Sequence, residues 1–331
     1  MRIALLAITH GGKKLAAKLA EKLSGSVVLD VSEGIAATLG RCWRDFDAFV
    51  CIMAAGIVVR SIAPLLMDKR NDPCVLVLDE QGRHVVSLLS GHLGGGNELA
   101  REIAALTCGT AVITTASDTL GLPAIDLWAK AQNLMVADKD ALTRASARLV
   151  NSGQLRLFSE VAVISLPQGL VQVSDPEEAE VIVSNRKSWR AEALHLYPRN
   201  LVVGVGCNRG TEAKEIAEAL DELLTEKGLS PQGIRNLASI DLKADEDGLL
   251  AFAAENGWQI EFFSKEELNS VGNVSRSEAV FSAVGAIGVA EPAALLSAEN
   301  NDLLAGKRKW QNVTLAVARA NFLLSAQVRA A

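Results

Sequence analysis

The sequence predicts a layered α/β protein: N-terminal and C-terminal domains built on mostly parallel sheets, joined by a small α+β middle unit. Three observations carry that expectation. Aliphatic runs alternate with stretches whose apolar residues recur at helical spacing, which is the pattern of strands crossing back through helices. Hydrophobic residues make up 49% of the 331 positions but aromatics only 4%, the palette of buried parallel strands. The motif that opens the chain, strand then glycine turn then helix, starts again at residue 201. At about 100–200 residues per domain this length holds two or three compact units, and the changes of pattern divide it at 1–122, 123–199 and 200–331.

In the first segment, residues 2–8 (RIALLAI) read as a strand ending in Thr9-His10-Gly11-Gly12, and Leu15, Leu19 and Leu23 mark one face of the following helix. Further strands are expected at 26–31, 47–53, 74–79, 84–89 and 111–114, with helices at 55–66 and 97–107. After Leu122-Pro123 the character changes. Residues 125–150 read as helix, 161–165 and 180–184 as strands, with Pro167, Pro176 and Pro198 in polar connections. In the last segment LVVGVG is a strand, CNRG a turn, and Ala213, Ile216, Ala217, Leu220 and Leu224 line one helix face behind Thr211, a good N-cap residue. Strands near 234–240, 258–263 and 312–318 and helices near 246–256 and 290–298 complete the unit.

Composition excludes several function classes. A formal charge of −6 gives no general attraction to nucleic acid or an anionic membrane. The five cysteines (Cys42, Cys51, Cys74, Cys108, Cys207) are odd in number and form no CxxC pair, so neither a disulfide framework nor a zinc knuckle is expected and a reducing cytoplasm fits best. The four histidines (His10, His84, His92, His195) lack metal-ligand spacing, so no metal site is expected. The N-terminal apolar run is too short for a membrane span, and no other segment reaches 18 apolar residues.

Candidate sites sit at the glycine loops. Ser90-Gly91-His92-Leu93-Gly94-Gly95-Gly96-Asn97 leads from strand to helix. Its glycines permit close approach of a ligand, Asn97 is a natural helix cap, and the helix start favours an anion; a plain flexible turn remains the alternative. His92 adds a proton-transfer group. Thr114-Thr115-Ala116-Ser117-Asp118 places hydroxyls and a carboxylate at a strand end, where parallel sheets keep their ligand crevices, although ordinary turns use the same residues. Gly56-Ile-Val-Val-Arg60 brings an arginine into a helix after a strand; Lys69 and Arg70 follow in a polar turn. Cys207-Asn208-Arg209-Gly210 is a second anion-binding helix start, where Cys207 reads as nucleophile or as a packed residue. Glu291 before Pro292 reads as acid/base or as part of a helix start. Neither loop has the spacing of a dinucleotide fingerprint or a phosphate-loop lysine, which disfavours a nucleotide enzyme.

The wording of these motifs goes further than their physics. GIVVRSIAPLLMDKRNDPCVLVLDEQGRHVVSLLSGHLGGGNELA (56–100) and VITTASDTLGLPAIDLWA (112–129) resemble the N-terminal signature of the CbiG family. VVGVGCNRGTEAKEI (202–216), SIDLKADEDGLLAFA (239–253), GVAEPAALL (288–296) and TLAVARA (314–320) resemble the C-terminal CobE/CbiG domain. One departure is Gly96, where the family loop usually carries alanine. The resemblance implies a hydrolase of anaerobic cobalamin synthesis acting on cobalt-precorrin 5A, opening its δ-lactone and expelling acetaldehyde. It implies no cofactor, because the cobalt belongs to the substrate. On this reading His92, Asp118 and Glu291 are the catalytic candidates. Arg60, Gly94, Gly95, Gly96, Asn97, Thr114, Thr115, Ser117, Cys207, Asn208, Arg209 and Gly210 are the substrate-binding ones. The expected partners are the corrinoid, neighbouring pathway enzymes and a second copy of the chain, with no nucleic acid or membrane. The alternative is a non-catalytic carrier of a corrinoid intermediate.

Overall fold

The computed structural model describes residues 1–327 other than 69, 70, 93, 188, 189, 273, 275 and 277; Lys69 and Arg70 therefore lie outside the described residues. The chain forms two compact units that divide between Leu127 and Trp128. Among the described residues, no helix is long and apolar enough to cross a membrane.

The first unit is a six-stranded sheet of order β2-β1-β3-β4-β5-β6. The aliphatic run β1 (Ile3–Ala7) is buried throughout, and Thr9 ends it by accepting the Gly12 N–H to cap α1 (His10–Ala20). Then follow β2 (Ser26–Val28), α2 (Ile35–Cys42), β3 (Ala48–Ile52) and α3 (Ala55–Ile62). Helix α3 stops short of the expected residue 66, in a 3₁₀ turn at Ala63–Leu65 that contains Pro64. Strand β4 (Cys74–Leu78) joins β5 (His84–Leu89) by a tight hairpin in which Asp79 accepts the Gln81 and His84 N–H groups. Helix α4 (Gly96–Thr107), β6 (Thr110–Val112) and the single turn α5 (Ala116–Thr119) complete the unit, and α6 (Ile125–Ala131) follows.

Within this sheet only the β4–β5 pair is antiparallel. Strands β5 and β6 consequently end on the edge where β1, β3 and β4 begin. The core lies on both faces. Leu19, Leu99 and Ile103 pack against Leu5, Ile52 and Leu76 on one side; Leu39, Val58 and Ile62 pack against Leu6 and Phe49 on the other, with Trp43 stacked on Phe49 at 5.3 Å.

The second unit carries two five-stranded sheets and a two-stranded one. The expected helix over 125–150 is two helices split by β7 (Leu134–Val136): Asn133 turns the chain at φ +55°, and Asp138 then caps α7 (Lys139–Ser152). Strands β8 (Leu155–Ser159), β10 (Leu170–Gln172), β11 (Val181–Val183) and β12 (Leu194–Pro198) build that sheet in the order β10-β8-β11-β12-β7. The strand expected at 161–165 shrinks to β9 (Ala162–Val163), which pairs with β18 (Leu323–Leu324).

The second five-stranded sheet has the order β15-β14-β13-β17-β16, formed by β13 (Leu201–Cys207), β14 (Ile234–Ile240), β15 (Gln259–Phe263), β16 (Leu303–Lys309) and β17 (Val313–Arg319). Its helices are α8 (Ala213–Lys227), α9 (Asp247–Asn256), α10 (Lys265–Ser270), α11 (Glu278–Val284) and α12 (Ala290–Ala298). Helix α12 lies so close to β13 that a side chain at Gly204 would meet the Ala290 carbonyl. The segment after β11 is hydrogen-bonded to the turn after α8: Lys187 N–H donates to the Gly228 carbonyl at 2.8 Å and Ser230 N–H to the Asn185 carbonyl at 2.7 Å.

Candidate functional site

Parallel pairing of β5 with β6 sends the chain out of both strands side by side. The loop after β5 begins at Ser90, held at φ +52°, whose hydroxyl donates to the Asp72 carbonyl at 3.0 Å. The loop then closes on itself: Gly95 N–H reaches the His92 carbonyl (2.8 Å), Gly96 N–H that of Ser90 (3.3 Å) and Asn97 N–H that of Gly91 (2.8 Å). Gly95 makes the entry to α4 at φ +76°, a conformation that favours glycine. Gly94 lies against Ser90, whose carbonyl oxygen would stand 2.6 Å from an added Cβ.

This geometry corrects two expectations. Asn97 does not cap α4, because the left-handed Gly95 occupies the cap position and Asn97 falls inside the first turn. The N–H groups of Gly95, Gly96 and Asn97 are satisfied within the loop, so they are not free anion donors.

Asn97, only 4% exposed, instead points across to the loop after β6. Its amide donates to Thr115 Oγ1 at 3.1 Å and to Asp118 Oδ2 at 2.9 Å. The same carboxylate oxygen lies 3.1 Å from His92 Nε2, and Ser117 Oγ lies 3.3 Å from that nitrogen. Arg101, one helical turn beyond Asn97, forms an ion pair with Asp118 Oδ1 and another with Glu98. Burial pushes the Asp118 carboxyl up, but the Arg101 guanidinium and His92 outweigh it and hold the group below the usual carboxylate range. Asp118 is therefore ionised at neutral pH. Thr114 is exposed beside this group.

The sequence marked His92, Asn97, Thr115, Ser117 and Asp118, and the fold brings them together. It did not mark Arg101, although the four-residue spacing from Asn97 places both on one face of α4. A cavity of about 800 Å3 opens along the same sheet edge, lined by Trp43, Arg44, Phe46, Asp47, Asp72 and Gly94 among others.

Arg60 is not part of this group. Its exposed guanidinium folds back over Gly56, 3.4 Å from where a Cβ would stand, near the edge where β3 ends. That is the sheet edge opposite His92.

The remaining candidates belong to the second unit. Asn208 is paired to Asn312 through side chain (3.0 Å) and backbone (2.9 Å). Arg209 binds Asp245 at 2.8 Å on the exposed surface. Gly210, at φ +76°, donates its N–H to Glu246 Oε1 at 2.5 Å, and Glu246 also holds Lys243 Nζ at 3.1 Å. Burial pushes the Glu246 carboxyl up, but the Gly210 N–H and Lys243 more than offset it and hold it below its ordinary value. The loop thus carries an internal anion, which the sequence did not signal. Thr211 is not the cap of α8; its hydroxyl donates to the Asn208 carbonyl at 2.8 Å, and Glu212 takes the cap position without a side-chain bond. Burial pushes the Cys207 thiol up, which disfavours the thiolate that a nucleophile needs. Glu291 is 6% exposed and accepts the Lys307 N–H at 2.7 Å, tying α12 to β16. Among the described residues, no group of three His, Cys, Asp or Glu side chains is arranged to hold a metal ion.

Fold and site define a multi-domain α/β protein with a hydrogen-bonded His–Asp pair at one sheet edge. Family models described as cobalamin synthesis G N-terminal, cobalamin biosynthesis central region and cobalamin synthesis G C-terminus match residues 37–118, 123–198 and 201–318. The chain is 37% identical over 297 residues to the cobalt-precorrin-5A hydrolase of Priestia megaterium, covering 83% of this chain and 79% of that one. It is 32% identical over 350 residues to the cobalt-precorrin-5A hydrolase of Salmonella typhimurium, covering 96% and 98%. A solved cobalamin biosynthesis protein G homologue from Sulfolobus solfataricus is 22% identical over 97% of each chain, with a TM-score of 0.40. The chain belongs to the CbiG family of cobalamin synthesis.

Proposed function

We propose that this chain is a cobalt-precorrin 5A hydrolase of anaerobic cobalamin synthesis. The observation that carries the reading is similarity along 96% of the chain to a relative of that name. The ligand is a cobalt macrocycle bearing many carboxylates and a δ-lactone to the methylated bridging carbon between rings A and D. Water adds to the lactone carbonyl and gives up a proton to a base; the acyl–oxygen bond breaks, leaving a carboxylate and a hydroxyl on the bridging carbon. Loss of the hydroxyl proton then lets the carbon–carbon bond to the macrocycle break. The electron pair stays on the ring, which takes up a proton, and the fragment leaves as acetaldehyde to give cobalt-precorrin 5B. This makes the enzyme a hydrolase whose second half-reaction is a carbon–carbon cleavage.

The chemistry calls for a base near water and groups that hold carboxylates. His92, partly exposed and oriented by an ionised Asp118, meets the first need. The hydroxyls of Thr114 and Thr115 and the Gly94 side of the loop serve the second, with Arg60 and Arg209 as peripheral cations. No resident cofactor is required, since cobalt arrives with the substrate, and a reducing cytoplasm is the compartment this reading favours. Neighbouring pathway enzymes and a second copy of the chain are the partners this reading favours. The test is His92→Ala: a folded variant releasing acetaldehyde at the wild-type rate would remove His92 from the chemistry. Wild-type protein that binds the corrinoid and releases no acetaldehyde would make it a carrier.

A further inference from the structure

Ser117, His92 and Asp118 look at first like the serine, histidine and carboxylate of a nucleophilic triad, but their geometry differs from one. In a triad the carboxylate holds one ring nitrogen and the serine hydroxyl uses the other. Here both partners meet the same atom: Asp118 Oδ2 is 3.1 Å and Ser117 Oγ 3.3 Å from His92 Nε2. A ring nitrogen facing an ionised carboxylate carries the proton in neutral imidazole. Nε2 therefore has no lone pair with which to take the serine proton, and the basic lone pair lies on Nδ1. Among the described residues, Nδ1 has no hydrogen-bond partner.

The carboxylate that sets this tautomer is itself held on both oxygens. Asn97 Nδ2 lies 2.9 Å from Oδ2, and Arg101 is ion-paired to Oδ1. These two side chains stand one turn apart on α4, and Glu98 steadies Arg101 from the same helix. The groups facing Asp118 are thus His92 from its loop; Asn97, Arg101 and, through Arg101, Glu98 from α4; and Ser117 beside it in α5. With both of its carboxylate partners inside the site, Arg101 is engaged with the protein and is not a free hand for substrate carboxylates.

We propose that Arg101 is a positioning residue: by fixing the Asp118 carboxylate together with Asn97, it keeps His92 protonated at Nε2 and directs Nδ1 to the water that opens the lactone, and Ser117 is not an acyl-accepting nucleophile. The inference rests on the hydrolase reading above. In the step it describes, the water proton passes to Nδ1, the oxygen of that water becomes a carboxylate oxygen of the product, and no acyl-enzyme forms.

The experiment uses full-length protein and cobalt-precorrin 5A, with acetaldehyde release followed from about pH 3 to 9, across the ordinary carboxylate range, for wild type, Arg101→Met, Arg101→Lys and Ser117→Ala, each checked for native circular dichroism. Arg101→Met is expected to lower kcat on the order of 10–100-fold with KM nearly unchanged. Its acid limb should move to higher pH, because Asp118 takes up its proton more readily once its cation is gone. Arg101→Lys should restore much of the rate and the profile. Ser117→Ala should lose less than about tenfold, mostly in KM, whereas loss of an acylated serine costs on the order of 10³-fold or more. The proposal is overturned by a Ser117→Ala loss of that size, by an acyl-enzyme trapped on Ser117 in denaturing mass spectrometry, or by a folded Arg101→Met with the wild-type rate and pH profile. If Arg101→Met does not fold, Arg101→Lys and the Ser117 arm decide. A wild-type protein that makes no acetaldehyde contradicts the hydrolase reading itself.

Discussion

His92 meets a carboxylate twenty-six positions along the chain. In sequence it is a histidine in a glycine loop, equally at home in a plain turn. In the structure its Nε2 meets Asp118, and Asn97 aims its amide at the same oxygen instead of capping a helix. Asn97→Ala removes that donor and the one to Thr115. We expect a stability loss of about 1–2 kcal/mol by chemical denaturation and a roughly tenfold lower rate of acetaldehyde release. Gly91→Ala should give a similar loss of rate without deleting any polar group, because its Cβ would collide with the Asn97 amide. Full activity in Gly91→Ala would mean that the Asn97 position is not needed.

At the scale of elements, the two glycine loops that look alike in sequence are used differently. The loop after β5 borders an open cavity; the loop after β13 is closed by Glu246, which takes the Gly210 N–H and pairs with Lys243. Because Glu246 is depressed in the folded state, the stability it adds is complete above the unfolded carboxylate range, near about pH 4.3, and is lost as pH falls through the lower folded value. Glu246→Gln should lower stability at pH 7 by about 1–3 kcal/mol and flatten the acid dependence of the melting temperature; an unchanged acid slope would show that Glu246 is not the linked group. Arg209, paired with Asp245 in the open, should give an Arg209→Ala protein with the wild-type melting temperature. A raised KM in that variant is what carboxylate binding at this loop requires.

Long aliphatic strands and helices with one apolar face were legible: β1, β3, β4, β13 and α8 stand where the pattern placed them. Helix α2 offered too few turns to show a period, and β12 hid behind its His195, Tyr197 and Pro198, which burial alone makes a core strand. The antiparallel β4–β5 step was also invisible, since alternation of strands and helices says nothing of a two-strand hairpin. That step decides which loops share an edge. Parallel β5–β6 pairing brings the loops after these two strands together, and the antiparallel step places them at the sheet edge opposite Arg60.

For the whole molecule, the family matches over 37–118, 123–198 and 201–318 reach all three segments of the chain. The first gathers His92, Asn97 and Asp118 at one sheet edge, while the glycine loop of the third is closed by Glu246. We propose that this chain opens a corrinoid lactone with His92 as base. The most direct test incubates purified wild-type and His92→Ala protein with cobalt-precorrin 5A and quantifies acetaldehyde beside the corrinoid product. Equal amounts of acetaldehyde and cobalt-precorrin 5B are expected from the wild type, and at least about a 100-fold slower release from a folded His92→Ala. Equal rates from the two proteins, or bound substrate recovered unchanged from the wild type, would contradict it.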